Sequence, residues 1–247
     1  MVGEAAERVL EVIGLHKWFG EVHALRGVNF YVNPAEVVGL IGDNGAGKST
    51  LIKIVSGILP PDRGRILIRG QETKIKSVNK ARQLGIETVF QEQALVDQMS
   101  VSRNIFLGRE LIKKGLFRFI DDKEMVKRTR KLIANMRLNI SSPNQDMEFC
   151  SGGERQGAAI VRAMYFQANV IILDEPTRAL SPSGVERVQD FIVRAKADGH
   201  SILLVTHSMH QVYTVADRFV FMSKGEISRE VRKDEISEKD LSKLFAI

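Results

Sequence analysis

Apolar and polar positions repeat with two different periods along this chain, and the change of period divides it into three. In the first third the runs are short and strand-like. Residues 9–14 and 28–32 read as strands interrupted by turn-like Gly20 and Gly27. Val37–Ile41 (VVGLI) is a short, near-continuous apolar run, as expected of a strand buried on both faces. A glycine-rich loop follows, and a helix is predicted from Lys48, ended by Gly57 and Pro60-Pro61. Residues 65–69 alternate polar and apolar, and 86–90 form another strand candidate.

From about Gln93 to Ala168 the pattern is mostly helical. Asp121 with Glu124 three residues later predicts a capping box opening a long helix, and Ser141-Ser142-Pro143-Asn144 predicts a break. Strand-like runs return at 170–173, 202–205 and 219–222, with helices predicted from Gly184 and from Met209. Buried strands alternating with helices imply an α/β fold with a parallel-rich sheet. The helical middle then reads as an insertion. The expected division is an α/β core of residues 1–92 and 166–247 around a helical subdomain of residues 93–165.

Composition narrows the setting. Of 247 residues 44% are hydrophobic and 27% charged, which suits one large domain or a domain with a built-in subdomain. The formal net charge of +6 fits an anionic partner. The densest basic stretch, residues 123–131, has helical spacing and reads as a solvated helix face. One cysteine, Cys150, excludes an intrachain disulfide and fits a reducing compartment. The first ten residues do not resemble a signal peptide. No apolar run approaches the ~20 residues of a spanning helix.

The strongest chemical signal is G-x-x-x-x-G-K-S, matched by Gly42, Gly47, Lys48 and Ser49. Backbone N–H groups of such a loop cradle phosphate oxygens, and the helix that follows adds its positive N-terminal dipole. Lys48 is placed for the β- and γ-phosphates and Ser49 for Mg²⁺. Chance gives such a match in a chain of this composition with odds of roughly one in a hundred, and a strand before and a helix after support it. Asp174 and Glu175 end the run 170–173, where ligands bind in open α/β sheets. Asp174 is expected to orient the metal through water. Glu175 is expected to take a proton from the attacking water. Solvated acidic turn is the competing reading.

Gln91 follows one strand candidate and His207 another. An amide oxygen at the first can reach Mg²⁺, and an imidazole at the second can reach the γ-phosphate. A surface glutamine and a structural histidine are the plain alternatives. Ser151, Gly152, Gly153 and Glu154 precede a helix, forming either a second anion site or an ordinary serine cap.

The ordered set GDNGAGKS, Gln91, SGGERQ, ILDEP and His207 resembles the ATP-binding subunits of ABC transporters across residues 9–225. The resemblance implies a P-loop NTPase (RecA-like) fold with a small N-terminal antiparallel β part. It implies that Gly42, Asp43, Asn44, Gly45, Ala46, Gly47, Lys48, Ser49 and Thr50 grip ATP with Mg²⁺. It makes Gln91 the link to the helical subdomain, Glu175 the catalytic base and His207 the switch histidine. Ser151 to Glu154 then cap the ATP of a second protomer. Phe19 lies where the family stacks an aromatic on adenine, with Trp18 the adjacent alternative.

GDNGAGKSTLIKI, VFQE and SVSRNIFLGRE look like the carbohydrate-uptake class, serving ribose- and xylose-type sugars. That resemblance implies an ATPase homodimer or heterodimer on the cytoplasmic membrane face. Permease subunits and, indirectly, a sugar-binding protein are the implied partners; nucleic acid is not. A soluble ABC-type ATPase acting on nucleic acid or the ribosome is the alternative, and a regulator without turnover a third reading. The chain departs from the pattern in having one unit rather than two fused. It also departs at Ala35, where glycine is usual, Cys150 (leucine), Gly157 (arginine) and Ser181 (aspartate).

Overall fold

The computed structural model describes residues 8–90, 95–115, 118–135, 138–166, 168–178 and 180–245. The chain opens with a long hairpin, β1 (Leu10–Phe19) and β2 (Val22–Val32). Next come β3 (Val37–Ile41), α1 (Lys48–Val55), β4 (Arg63–Ile68), β5 (Gln71–Glu72), α2 (Val78–Gln83) and β6 (Ile86–Val89). The middle holds α3 (Val101–Ile105), α4 (Asp122–Asn135) and α5 (Gly152–Tyr165). The last third runs β7 (Val170–Asp174), α6 (Pro182–Ala197), β8 (Ser201–Val205), α7 (Met209–Val215), β9 (Arg218–Ser223), β10 (Glu226–Arg232) and α8 (Glu238–Phe245).

Two sheets result. One is antiparallel, in the order β2-β1-β4-β5; the other runs β10-β9-β3-β8-β7-β6. In the second sheet every pairing from β9 to β6 is parallel, and only β10 is antiparallel. Its central strands bury both faces, and successive residues serve different cores. Val38 and Leu40 of β3, Ile172 of β7 and Leu203 of β8 join the layer shared with the antiparallel sheet. Val37 and Ile41, Leu173 and Leu204 face the opposite core, built with α5, α6, α7 and α8. Each such side chain contributes about 1.5–3 kcal/mol by leaving water. A one-residue slip would exchange the two sets, so the register is firmly held.

A third cluster lies among the inserted helices: Val101, Ile105, Phe106, Met125, Ile133 and Met147. Helix α5 joins it to the sheet. Its Ala159, Ile160 and Ala163 pack on the sheet core, while Ala158 and Val161 face the insertion. The spacing places two stripes on one helix.

The structure differs from the sequence expectation in three places. The first two strands are longer than 9–14 and 28–32, because Gly14 (φ +57°) and Gly27 (φ +81°) sit where the pairing register shifts and do not end the strands. The middle is less helical than its pattern implies. Asp121 does cap α4, accepting from the Glu124 amide at 3.1 Å, but the Glu124 carboxylate pairs with Arg128 instead of closing the box. Finally, β5, α2, β10 and α8 have no counterpart in the sequence expectation; β10 is largely exposed and carries no apolar alternation.

Candidate functional site

The order of the parallel strands assembles the site. Residues after β3, β8 and β7 leave the same edge of the sheet side by side, because these strands are adjacent and run the same way. The glycine loop of residues 42–47 follows β3, His207 lies two residues past β8, and Glu175 one past β7. Gln91 lies outside the described residues, two positions beyond the end of the neighbouring strand β6.

The loop is braced from behind. A Cβ on Gly42 would stand 2.2 Å from the Met222 carbonyl oxygen, and one on Gly47 (φ +106°) would stand 2.7 Å from the Met222 side chain. Gly225, in the turn between β9 and β10, donates its amide to Ala46 O at 2.9 Å. The result is a cavity of about 510 Å³ lined by residues 43–50 together with His23, Arg26 and Lys224. Cations, a helix N-terminus and backbone amides around such a space suit a polyphosphate.

Lys48 is half-buried, and its ammonium donates to the carbonyls of Gly42 (2.5 Å) and Asp43 (2.9 Å). Burial pushes its pKa down, opposed by the carboxylates of Glu175, Asp174 and Asp43. Burial pushes Asp174 up, the adjacent Glu175 charge pushes it further, and Lys48 pulls the other way. Lys48, Asp174 and Glu175 therefore form one electrostatic group. Glu175 holds a left-handed backbone (φ +49°), fixed by its amide bonding Val205 O at 2.8 Å. Its Oε1 lies 2.8 Å from His207 Nδ1, and Thr206 Oγ1 donates to Oε2 at 3.4 Å. A strained backbone held by the neighbouring strand is a usual sign of a functional position.

The segment from Ser151 is elsewhere. Ser151 to Glu154 do not line this cavity. The Ser151 hydroxyl accepts from Glu154 N at 3.3 Å and Glu154 Oε2 accepts from Ser151 N at 2.7 Å, a reciprocal cap on α5.

Phe19 does not line the cavity either; it is 47% exposed. Trp18 instead stacks on His23 with ring centres 4.1 Å apart and planes 9° apart, and His16 stacks behind them. His23 thus brings an aromatic face to the loop, and the sequence reading missed it. The signal was present: had strand alternation been carried through Gly20, Trp18 and His23 would have fallen opposite each other, as they do. Arg26 and Lys224 were missed for the same reason, since hairpin partners and a distant turn bring them in.

The four departures have local accounts. Ala35 takes a left-handed backbone (φ +52°), the conformation that makes glycine usual there. A Cβ on Gly157 would meet Leu138 Cδ2 at 2.5 Å, so a side chain there requires the Leu138 side chain to move. Cys150 is buried in the inserted cluster, and burial raises its thiol pKa. Ser181 caps α6, accepting from Gly184 N at 3.3 Å, which an aspartate does equally.

Residues 25–178 match the family model described as ABC transporter. The chain is 42% identical over 237 residues to a xylose/arabinose import ATP-binding protein of Sulfolobus acidocaldarius, covering 96% of this chain and 93% of that one. It is 43% identical over 219 residues to a fructose import ATP-binding protein of Rhizobium meliloti, covering 87% and 84%. A ribose import ATP-binding protein of Jannaschia sp. is 35% identical, and there the chain spans 96% of itself but 45% of the relative. Among solved structures, a nucleotide-free ATP-binding cassette from an ABC transporter superposes with a TM-score of 0.83 at 28% identity, covering 96% and 95%. A dimeric post-hydrolysis cassette bound to ADP and Pi superposes at 0.78 with 25% identity, covering 91% and 98%. This chain belongs to the ATP-binding cassettes of the ABC transporter family.

Proposed function

We propose that this chain is the ATP-hydrolysing subunit of an importer for a monosaccharide, working in pairs beneath membrane permease subunits. The observation that carries the reading is the split site. Lys48, Asp174, Glu175 and His207 gather at one sheet edge, while Ser151 to Glu154 lie outside that cavity. A triphosphate in the cavity is gripped by the loop amides and Lys48 and left open on the side that a second protomer's α5 N-terminus would cover. The dimeric relative bound to ADP and Pi supports the pairing. The xylose/arabinose and fructose import names support sugar cargo.

Within the pair, Glu175 accepts the proton of the attacking water and His207 fixes that carboxylate's orientation. Lys48 balances charge on the transferred phosphoryl group. The described residues contain no group of three or more His, Cys, Asp or Glu able to hold a metal alone. The donors fit magnesium, which takes few protein oxygens and completes its shell with water and phosphate. Ser49, Asp174 through water, and Gln91 are the residues that would hold it. Bound magnesium neutralises phosphate charge. No helix among the described residues is long and apolar enough to cross a membrane. The same reading places the chain peripherally on the cytoplasmic face, beside the permease. The core of residues 1–92 and 166–247 binds nucleotide, and the insertion 93–165 carries the movement to the permease.

Mixing two inactive variants tests the pairing. Lys48→Ala lacks the grip and Ser151→Arg lacks the cap. Together they form heterodimers with one intact composite site, so phosphate release should return on mixing. No recovery, with wild-type turnover per protomer independent of dilution, overturns the shared site. Uptake of labelled pentoses and hexoses by cells lacking this chain tests the cargo.

A further inference from the structure

Glu175 and His207 meet at the sheet edge, but they leave it on different segments. Glu175 begins a turn that continues through Pro176, Thr177 and Arg178, and Arg178 N donates to Glu175 O at 3.2 Å. His207 lies between β8 and α7. Its side chain is 68% exposed, so its direction depends on Glu175 and on the segment that carries it. That segment is weakly held from within. Helix α7 has seven residues, too few to be stable alone, and Ser208 gives it no side-chain cap.

A second tie joins the two segments farther out. Thr177 Oγ1 donates to Gln211 Oε1. Thr177 stands two residues past Glu175, and Gln211 four residues past His207. The two contacts therefore close a circuit. It runs from Glu175 to Thr177 along the chain and from Thr177 to Gln211 by hydrogen bond. It returns along the start of α7 to His207, whose Nδ1 lies 2.8 Å from Glu175 Oε1. Buried Pro176 fixes one backbone torsion inside the circuit. Thr177 and Gln211 are both half-buried, and Val188, Ile192 and Leu204 line the same cleft without offering their polar groups a partner. A hydrogen bond in such apolar surroundings is stronger than one in water. From α6, Gln189 Nε2 donates to Gln211 O at 3.5 Å, so the backbone of Gln211 is held as well.

We propose that Gln211, through Thr177, is a positioning residue for hydrolysis. It holds the start of α7 against the turn after Glu175, and so keeps His207 on the carboxylate that takes the proton from water. Gln211 itself does not line the nucleotide cavity. The inference rests on the roles of Glu175 and His207 in the proposed function.

The test uses the full chain with ATP and magnesium. Thr177→Val removes the hydroxyl at nearly constant shape, and Gln211→Leu removes the acceptor. Each should lower kcat on the order of tenfold, the scale of one hydrogen bond lost from an alignment. KM for ATP should stay unchanged, as expected when only the reacting geometry is disturbed. Thr177→Ser keeps the hydroxyl and should keep wild-type kcat. Melting temperatures should stay close to wild type in all three. Histidine-ring NMR supplies a readout independent of turnover. The His207 signal should shift or broaden in Thr177→Val and Gln211→Leu and stay in place in Thr177→Ser, while those of His16, His23 and His200 do not move. An unmoved His207 signal in the first two variants overturns the proposal, as does wild-type kcat in both, or a kcat lost equally in Thr177→Ser. A kcat that falls only in step with melting temperature also overturns it, since the bond would then serve stability alone. Should Gln211→Leu not fold, Thr177→Val decides. Wild-type turnover in His207→Ala would instead refute the role of His207 in the proposed function, a result distinct from an unmoved His207 signal.

Discussion

Two glycine segments open helices in this molecule, and their surroundings are opposite. At the loop before α1, the chain itself forbids side chains: Gly42 and Gly47 would each place a Cβ within 3 Å of Met222. At the start of α5 nothing lies within 4 Å of a Cβ on Gly152, and only the Arg187 side chain, at 3.7 Å, comes near one on Gly153. The first pair is explained by packing within one protomer. The second is not, which is what the proposed pairing of protomers would account for. One segment is packed within its own protomer, while the other is open, and in the proposed function it is the one that a second protomer covers.

The largest effect belongs to the built half. Glu175→Gln should cut phosphate release on the order of a thousandfold, the scale of losing a general base, while nucleotide binding persists. His207, 2.8 Å away, keeps a hydrogen-bonding partner in the amide, so melting should change little. Equal turnover in the two proteins would remove Glu175 from its role.

Next come the glycines themselves. Gly47→Ala should destabilise the protein by about 3 kcal/mol, because a positive φ acts together with a Cβ placed 2.9 Å from the Ala24 carbonyl oxygen. Gly153→Ala should leave denaturant stability unchanged, or raise it by a few tenths of a kcal/mol through helix propensity, yet lower dimer-dependent hydrolysis. Parallel unfolding curves and phosphate-release assays separate the outcomes. If Gly153→Ala unfolds the protein as Gly47→Ala does, the contrast between the two segments fails.

A pH experiment sharpens the built half further. Asp174 is raised by burial and by Glu175, so ionising it works against folding. The penalty is full above its raised folded pKa and fades as pH falls towards the ordinary carboxylate value. Nucleotide-free Asp174→Asn should thus melt above wild type near neutral pH, and the gap should narrow on acidification while hydrolysis is lost. A gap that widens on acidification contradicts the assigned direction.

These contrasts also show what the sequence could disclose. The central strands were legible because burial on both faces makes them continuous apolar runs, as in Val37–Ile41. The loop of residues 42–49 was legible because its chemistry is local. Partners supplied by tertiary contact were not: His23 faces Trp18 across a hairpin, and Leu138 lies over Gly157. Polar β10 carries no apolar alternation, so nothing announced it, and of the stretches between α3, α4 and α5 only the break at 141–144 had a local signal. The open α5 segment was readable as a motif, but its lack of neighbours within the chain emerged only from the fold.

The smallest prediction concerns a glycine that is missing. Ala35 sits in the left-handed region at φ +52°, with its amide tied to Ser201 Oγ at 3.0 Å. A left-handed alanine costs about 1–2 kcal/mol, and glycine escapes that cost but loses roughly 0.5–1 kcal/mol in chain entropy. Ala35→Gly should therefore stabilise the protein by about 0.5–1 kcal/mol, read as a higher denaturant midpoint at unchanged slope. Hydrolysis should not change, because Ala35 leads into β3 at the sheet edge opposite the nucleotide loop. Both positions thus prefer glycine to alanine, by different amounts. Glycine to alanine is ruinous at Gly47, and alanine to glycine is favourable at Ala35, both through the backbone rather than through contact with ligand. At Gly153 the backbone is indifferent, so any loss of turnover there measures what a second protomer brings.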